Sequence, residues 1–303
     1  MNSLRISIVQ YLNTAPLVRG FTHGPLRGKY QLSFTVPSQC AEALRTGAVD
    51  IAIIPTIELQ RIDGLVVLPN LSIASKRSVR SLLLVSRKPI HEVRRIALDR
   101  SSRSTQALVR ILCAKRWHIV PEFFETDPDL LWMLERADAA LLIGDPALRL
   151  AFDSESNAKR DAAGDLFFPA GYAGLRSTSP LFLYDMVEKW RALTSLPAVL
   201  AVWAARPAAA SHEVVRDFQD SLFFGMQEIA GISAEASAEL NLPVEKIRRY
   251  LAENIDYTLD EENLRGLQRY YDLSAELGLI KEAKTIQIAG SEQTPELAAS
   301  PRT

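Results

Sequence analysis

Arg5-Ile6-Ser7-Ile8-Val9-Gln10-Tyr11-Leu12-Asn13-Thr14-Ala15-Pro16 is the stretch that decides the fold. Arg5 to Val9 alternates as a β-strand does. Thr14 suits the cap of a following helix, and Pro16 suits its first turn. A strand, a short turn and a helix in that order open an α/β layer structure, whose ligands gather beyond the carboxyl ends of the strands. Asn13 is left in that turn, between Leu12 and Thr14. Its carboxamide donates and accepts without carrying charge. Asn13 is therefore either a ligand contact or a residue that holds its own turn through a local hydrogen bond.

The same order repeats along the chain. Tyr30 to Val36 is a second strand, and Pro37-Ser38 starts a helix that presents Cys40, Ala43 and Leu44 on one face and ends at Gly47. Asp50 to Ile54 is almost wholly apolar, as in a central strand buried on both faces of a largely parallel sheet. Arg80 to Ser86 forms a strand that Lys88-Pro89 breaks. A second series follows: Arg95 to Asp99 as strand, Ser104 to Trp117 as helix, Glu122 to Phe124 as strand, and Ala137 to Ile143 as strand closing on Gly144-Asp145-Pro146. A helix from Tyr184 to Leu193 leads to a strand at Ala198 to Ala204 that returns the chain to its first part. Crossovers near Ser86 and Pro197 predict two lobes around a central cleft, 1–86 with 198–284 and 87–197. A disordered tail is expected over 285–303, which from Ser291 onward is rich in Ser, Pro, Thr and Ala. The irregular stretch between Asp153 and Leu181 reads as a flap over the cleft or as a surface loop. Beyond His212 the pattern is helical, and the stripes Phe218, Leu222, Phe223, Met226 and Leu264, Leu267, Tyr270, Tyr271 suit a core.

Composition narrows the function. With 303 residues, 48% of them hydrophobic, the chain can fill two cores. Thirty-five basic against 36 acidic residues leave a net charge of -1, which supplies no field for nucleic acid or a membrane surface. No apolar run reaches membrane-spanning length, and the first strand begins too early to leave room for a signal peptide, so a cytoplasmic protein is expected. Cys40 and Cys113 read as small buried hydrophobes. His23, His91, His118 and His212 are scattered without ligand spacing, and no metal site is expected.

Three constellations carry chemistry. Asp99-Arg100-Ser101-Ser102-Arg103-Ser104-Thr105 lies at a strand-to-helix junction, where free backbone N–H groups favour an anion. Ser102, Arg103, Ser104 and Thr105 could add hydroxyl and guanidinium donors to a carboxylate, while Ser101 or Ser102 is expected to cap the helix. Lys76-Arg77-Ser78-Val79-Arg80-Ser81 sets three cations before a strand; they are a solvated turn or an anion contact, and Ser81 either faces the cleft or marks the strand end. Gly144 permits close backbone approach, and Asp145 is expected to cap the helix begun at Pro146. Neither a Gly-rich phosphate loop nor a Gly-x-Ser-x-Gly elbow occurs, so nucleotide binding and acyl transfer lack their usual motifs.

Taken in order, Tyr11-Leu12-Asn13-Thr14-Ala15-Pro16-Leu17, Pro37-Ser38-Gln39-Cys40-Ala41, Gly47 to Asp50 with Pro55 and Glu58, Val79 to Ser86, Leu98-Asp99 with Ser102 to Thr105, Ala137 to Leu148, and Trp190, Thr194, Leu196-Pro197 and Val202-Trp203 resemble the menaquinone-biosynthesis family that includes the chorismate dehydratases of the futalosine route. The resemblance extends to about Ile280. It implies an α/β periplasmic-binding-protein type II fold used as a cofactor-free lyase, with chorismate as substrate and 3-[(1-carboxyvinyl)oxy]benzoate as product. Asn13 and Ser81 match positions expected to touch substrate as catalytic residues; Ser102 to Thr105 match the carboxylate-binding helix start, and Leu12, Thr14, Gly144 and Asp145 belong to the substrate-binding motifs. The chain departs from the family near Arg77, at Asp185-Met186-Val187 and at Ser195 and Ala198, where the family has Asp-Leu-Gly and Thr-Gly-Leu-Pro-Phe. None of these segments offers a histidine or a poised carboxylate, so the expected proton acceptor is the substrate's own enolpyruvyl carboxylate. A dihydroxynaphthoate synthase of the sister branch, which relies on a histidine and opens with a Cys- and Pro-containing motif, and a non-catalytic cytoplasmic solute-binding protein are the alternatives.

Overall fold

The computed structural model describes residues 3–162, 164–170 and 180–290. The first sheet is built from β1 (Arg5–Val9), β2 (Gln31–Thr35), β3 (Ile51–Pro55), β4 (Val66–Ser75) and a strand from much later in the chain. The second holds β5 (Leu82–Ser86), β6 (Arg95–Asp99), β7 (Glu122–Thr126), β8 (Ala139–Ile143), β9 (Lys159–Arg160), β10 (Leu166–Phe168) and β11 (Leu181–Asp185). The late strand, β12 (Ala198–Ala205), returns to the first sheet and gives it the order β2-β1-β3-β12-β4; the second sheet runs β7-β6-β8-β5-β11-β10-β9. The chain thus passes between the sheets twice, after β4 and before β12.

The first sheet is only partly parallel. β1 runs parallel to β2 and β3, whereas β12 runs antiparallel to both β3 and β4. β4 breaks the expected strand–helix rhythm because it carries Pro69 and then Asn70 at φ 60, features that mark an edge strand with an irregular ladder. Strand β11 occupies part of the expected flap. Between α5 (Asp145–Asn157, defined with the helices below) and β11, strands β9 and β10 pair antiparallel and extend the second sheet, so the described part of this stretch is a sheet edge. Residue 163 and residues 171–179 lie outside the described residues.

Helices α1 (Ala15–Thr22), α2 (Pro37–Arg45), α3 (Arg103–Leu112), α4 (Leu130–Arg136), α5 and α6 (Met186–Thr194) follow their strands, and α7 (His212–Gln227), α8 (Ile229–Leu240), α9 (Val244–Arg249) and α10 (Glu261–Glu276) complete the fold. Part of the expected tail, before residue 291, packs on the first sheet. Val67 N–H donates to Gln287 O at 2.7 Å and Ala289 N–H to Val67 O at 2.9 Å, which lays this segment along β4; residues 291–303 lie outside the described residues. Cys40 and Cys113 are buried and free.

The helix that leaves the first turn is clamped from behind. A Cβ on Gly20 would lie 2.5 Å from Ser221 Cα, and one on Gly225 would lie 1.9 Å from the Pro16 carbonyl oxygen. The Ser221 hydroxyl accepts from Gly20 N at 3.1 Å and donates to Leu17 O at 2.8 Å, so α7 grips α1 by contact and by hydrogen bond. Because the obstacle at Gly225 is backbone, no rotamer change relieves it. Gly225→Ala should lower the unfolding free energy by about 3 kcal/mol or more, the upper range for an overpacked core, as read from urea denaturation; an unchanged midpoint would show that α1 and α7 separate freely.

Candidate active site

The turn after β1 is a single 3-10 turn, Leu12–Thr14. Thr14 stands at the cap position of α1 in the αR region, and its side chain caps nothing; its hydroxyl donates to Asn13 Oδ1 at 3.4 Å. Leu12 is buried, and its N–H reaches across to the second sheet, donating to Asp145 Oδ1 at 3.2 Å. That bond replaces the capping role expected of Asp145. Gly144 holds the cap position of α5 instead, at φ 67. A Cβ there would lie 2.8 Å from the Tyr11 ring, so both the backbone conformation and the contact require glycine. Gly144 N–H in turn donates to Ser81 O at 2.9 Å.

Ser81 is buried at the residue before β5. Its hydroxyl accepts from the Tyr250 phenol at 2.9 Å. Around these residues a narrow cavity opens between the sheets. Tyr11, Asn13, Ser81, Ser102, Thr105 and Gly144 line it together with Pro37, Pro55, Ile73, Leu82, Ile143 and Leu200. Among the described lining residues none carries a formal charge, and Tyr11 is the one that titrates. Burial lifts its phenol to about 12, so it stays protonated at neutral pH.

The serine-rich helix start divides into two faces. Ser102 occupies the cap position of α3 without a capping bond; its hydroxyl pairs with Thr105 Oγ1 at 2.9 Å, and both residues face the cavity. Ser101 N–H donates to Asp99 Oδ1 at 2.9 Å, and the Ser101 hydroxyl lies 3.3 Å from that of Tyr11. Arg103 points elsewhere, donating to Glu58 Oε2 at 3.0 Å on a buried carboxylate that Arg45 and Arg61 also hold. Ser104 accepts from Ile57 N at 3.0 Å and lies 3.2 Å from Thr56 Oγ1, bracing α3 against the turn after β3. Arg103 and Ser104, expected at the site, do not line this cavity: positions 102 and 105 share one helical face, and 103 and 104 turn away from it. Two of the three cations before β5 are also engaged, Lys76 with Asp260 at 2.6 Å and Arg80 with Glu155 at 2.6 Å.

Tyr250 is the residue that sequence reasoning missed. It lies 169 positions from Ser81, at the start of a π-helical turn, Tyr250–Asn254, with no local motif to announce it. Asp185 was legible only as the Asp kept from the family's Asp-Leu-Gly, next to the departures at Met186 and Val187. It caps α6 through Val187 and Glu188 N–H and also accepts from Arg80 N at 2.7 Å, which fastens the backbone just ahead of Ser81.

A sequence profile described as menaquinone biosynthesis matches residues 4–276. A chorismate dehydratase of Thermus thermophilus is 28% identical over 273 residues, covering 88% of this chain and 93% of that protein. In structure, a protein of Archaeoglobus fulgidus aligns with a TM-score of 0.67 at 17% identity over 92% of this chain and 98% of that one. The alkanesulfonate-binding protein of Xanthomonas axonopodis pv. citri aligns with a TM-score of 0.59 at 17% identity, over 92% and 94% of the two chains. The α/β architecture with two sheets is therefore a periplasmic-binding-protein-like fold. No helix among the described residues is long and apolar enough to cross a membrane.

Burial raises the Asp145 carboxyl above the ordinary carboxylate range, against the opposing pull of the Leu12 N–H. Between the ordinary value and the raised one, the folded protein keeps a proton that the unfolded chain has lost, so this group makes stability fall as pH rises through that window. Asp145→Asn retains an oxygen for Leu12 and removes the titration. The variant should gain stability relative to the unsubstituted protein as pH goes from about 4 to 7, measured by urea midpoints; a constant difference across that range would contradict this.

Proposed function

This chain belongs to the menaquinone-biosynthesis family, and from that premise we propose that it is a cytoplasmic hydro-lyase that converts chorismate to 3-[(1-carboxyvinyl)oxy]benzoate. The observation that carries the proposal is the uncharged cavity at which Asn13, Ser81 and the Ser102–Thr105 face of α3 converge. The name of the Thermus thermophilus relative supports the same substrate and reaction type.

Chorismate carries two carboxylates on a non-aromatic ring. Loss of one ring hydrogen and the neighbouring hydroxyl yields an aromatic product, so the reaction is downhill, and catalysis consists largely of holding the conformer that dehydrates rather than one that rearranges. One carboxylate rests at the start of α3, where Ser102, Thr105 and unpaired N–H groups supply donors. With Tyr11 protonated and no charged side chain among the described lining residues, the enolpyruvyl carboxylate of the substrate is the base. It takes the ring proton, the C–H electron pair becomes the new ring double bond, and the C–O bond breaks as the hydroxyl leaves as water with the proton that the enolpyruvyl carboxyl hands back. Asn13 and Ser81 hold the carboxylate and the departing hydroxyl in register.

Purified protein treated with a chelator should convert chorismate to the enolpyruvyl benzoate, followed by chromatography. Tight binding of chorismate without turnover would instead identify a solute-binding module. Within an active protein, Ser102→Ala should lower kcat/KM about tenfold, the scale of one hydrogen bond to a charged group. Arg103→Ala, which loses its pair with Glu58, should leave kcat/KM within about twofold. A larger loss from Arg103→Ala than from Ser102→Ala would return the guanidinium to the substrate site.

A further inference from the structure

A serine hydroxyl has one proton and two lone pairs, so what it donates to depends on what already donates to it. At Ser81 the direction is set by the group behind it. The Tyr250 phenol donates its proton to Ser81 Oγ at 2.9 Å. The Ser81 proton must then go elsewhere. Its protein acceptor is Val79 O at 3.5 Å, the outer limit of a hydrogen bond, and its other outlet is the cavity that Ser81 lines.

We propose that Tyr250 is a positioning residue of this site, which aims the Ser81 proton into the cavity. The inference rests on the dehydratase reading of the site and adds to it the residue that makes Ser81 a donor. Backbone geometry supports the assignment. Tyr250 opens a π-helical turn, a local widening often found at functional sites. The same turn is tied to the segment ahead of Ser81, because Asn254 Nδ2 donates to Ser78 O at 3.0 Å. Tyr250 is 1% exposed and lies behind Ser81, so it acts through Ser81 rather than on substrate. Burial raises its phenol, with Asp145 and Asp185 adding to the effect, and it stays a donor across the working pH range. The neighbouring Tyr257 is likewise buried and neutral.

The test is a double-mutant cycle read in kcat and KM for chorismate. Tyr250→Phe should lower kcat about tenfold with KM within twofold, and in a Ser81→Ala background it should change kcat by less than twofold. Tyr184→Phe is the matched control. Its phenol oxygen accepts from Ile90 N at 3.0 Å away from the cavity, and its loss should leave kcat unchanged. An unchanged kcat in folded Tyr250→Phe, or losses that multiply with Ser81→Ala, would overturn the inference while leaving the dehydratase reading intact. Absence of turnover by the unsubstituted protein would overturn that reading and the inference with it. If Tyr250→Phe does not fold, difluorotyrosine at position 250 keeps the ring and the hydroxyl while acidifying the phenol. It should move the alkaline loss of kcat to lower pH, and an unmoved profile would equally overturn the proposal.

Discussion

The ring of Tyr11 lies against the bare backbone of Gly144, and the rest of the site depends on that contact. Tyr11 follows β1 in the first sheet, and Gly144 follows β8 in the second. With no side chain between them, Leu12 N–H can reach Asp145 and Gly144 N–H can reach Ser81 O. Three short contacts thereby fix the distance between the ends of three strands from two sheets. A side chain at position 144 would wedge the sheets apart and demand a positive φ that L-residues seldom adopt. At this point the two sheets meet backbone against ring.

Charge is arranged around this cavity and kept out of it. Glu58 holds Arg45, Arg61 and Arg103, and Glu155 holds Arg80 and Lys246. Lys76 sits against Asp260 and Asp256. Lys76, Arg80 and Arg103, which the sequence sets next to the site, are thus matched by carboxylates on other elements. A cation in the cavity would hold a carboxylate tightly but would also lower its basicity, because an adjacent positive charge favours the ionised form. Neutral donors position an anion at a smaller cost to its basicity, which suits a substrate that must act as its own base.

Much of the fold is legible in hydrophobic period and turn chemistry, and the failures have local causes. β1, β3, β6 and β8 follow their patterns closely. β4 is hidden by Pro69 and Asn70, which read as a turn, and β11 is hidden because Tyr184 and Asp185 read as the opening of α6 when they end a strand. Ser195 replaces the family's glycine yet takes φ 61, the left-handed conformation at a helix end that the glycine would serve. In the site, Asn13, Ser81, Ser102, Thr105 and Gly144 meet at the cavity. Capping was the weaker guide. Thr14, Ser102 and Asp145 are cap-forming residue types near helix starts, yet each spends its side chain on a tertiary or neighbouring partner. Helical phase would have separated Arg103 and Ser104 from Ser102 and Thr105. Nothing local marks Tyr250, because its role arises from a contact across most of the chain.

That last point bears on how the site is held. Its donors come from the turn after β1, from the residue before β5 and from the start of α3, and Tyr250 braces them from a π-helical turn. Each is fastened from outside the cavity: α1 by α7, the Ser81 segment by Asp185 and Asn254, and α3 by Ser104 and by the Tyr270 phenol, which donates to Ser104 O at 3.0 Å. These fastenings come largely from the last third of the chain, while the polar groups that meet the cavity come from the first half. The C-terminal helices therefore supply rigidity to a site they barely touch. A binding protein of this architecture gains affinity by moving its lobes around a ligand. A catalyst that must hold one conformer of a reactive dianion gains more from donors whose directions are set before the ligand arrives. The hydrogen bonds behind Asn13 and Ser81 do that without placing a charge where the substrate's own carboxylate has to work.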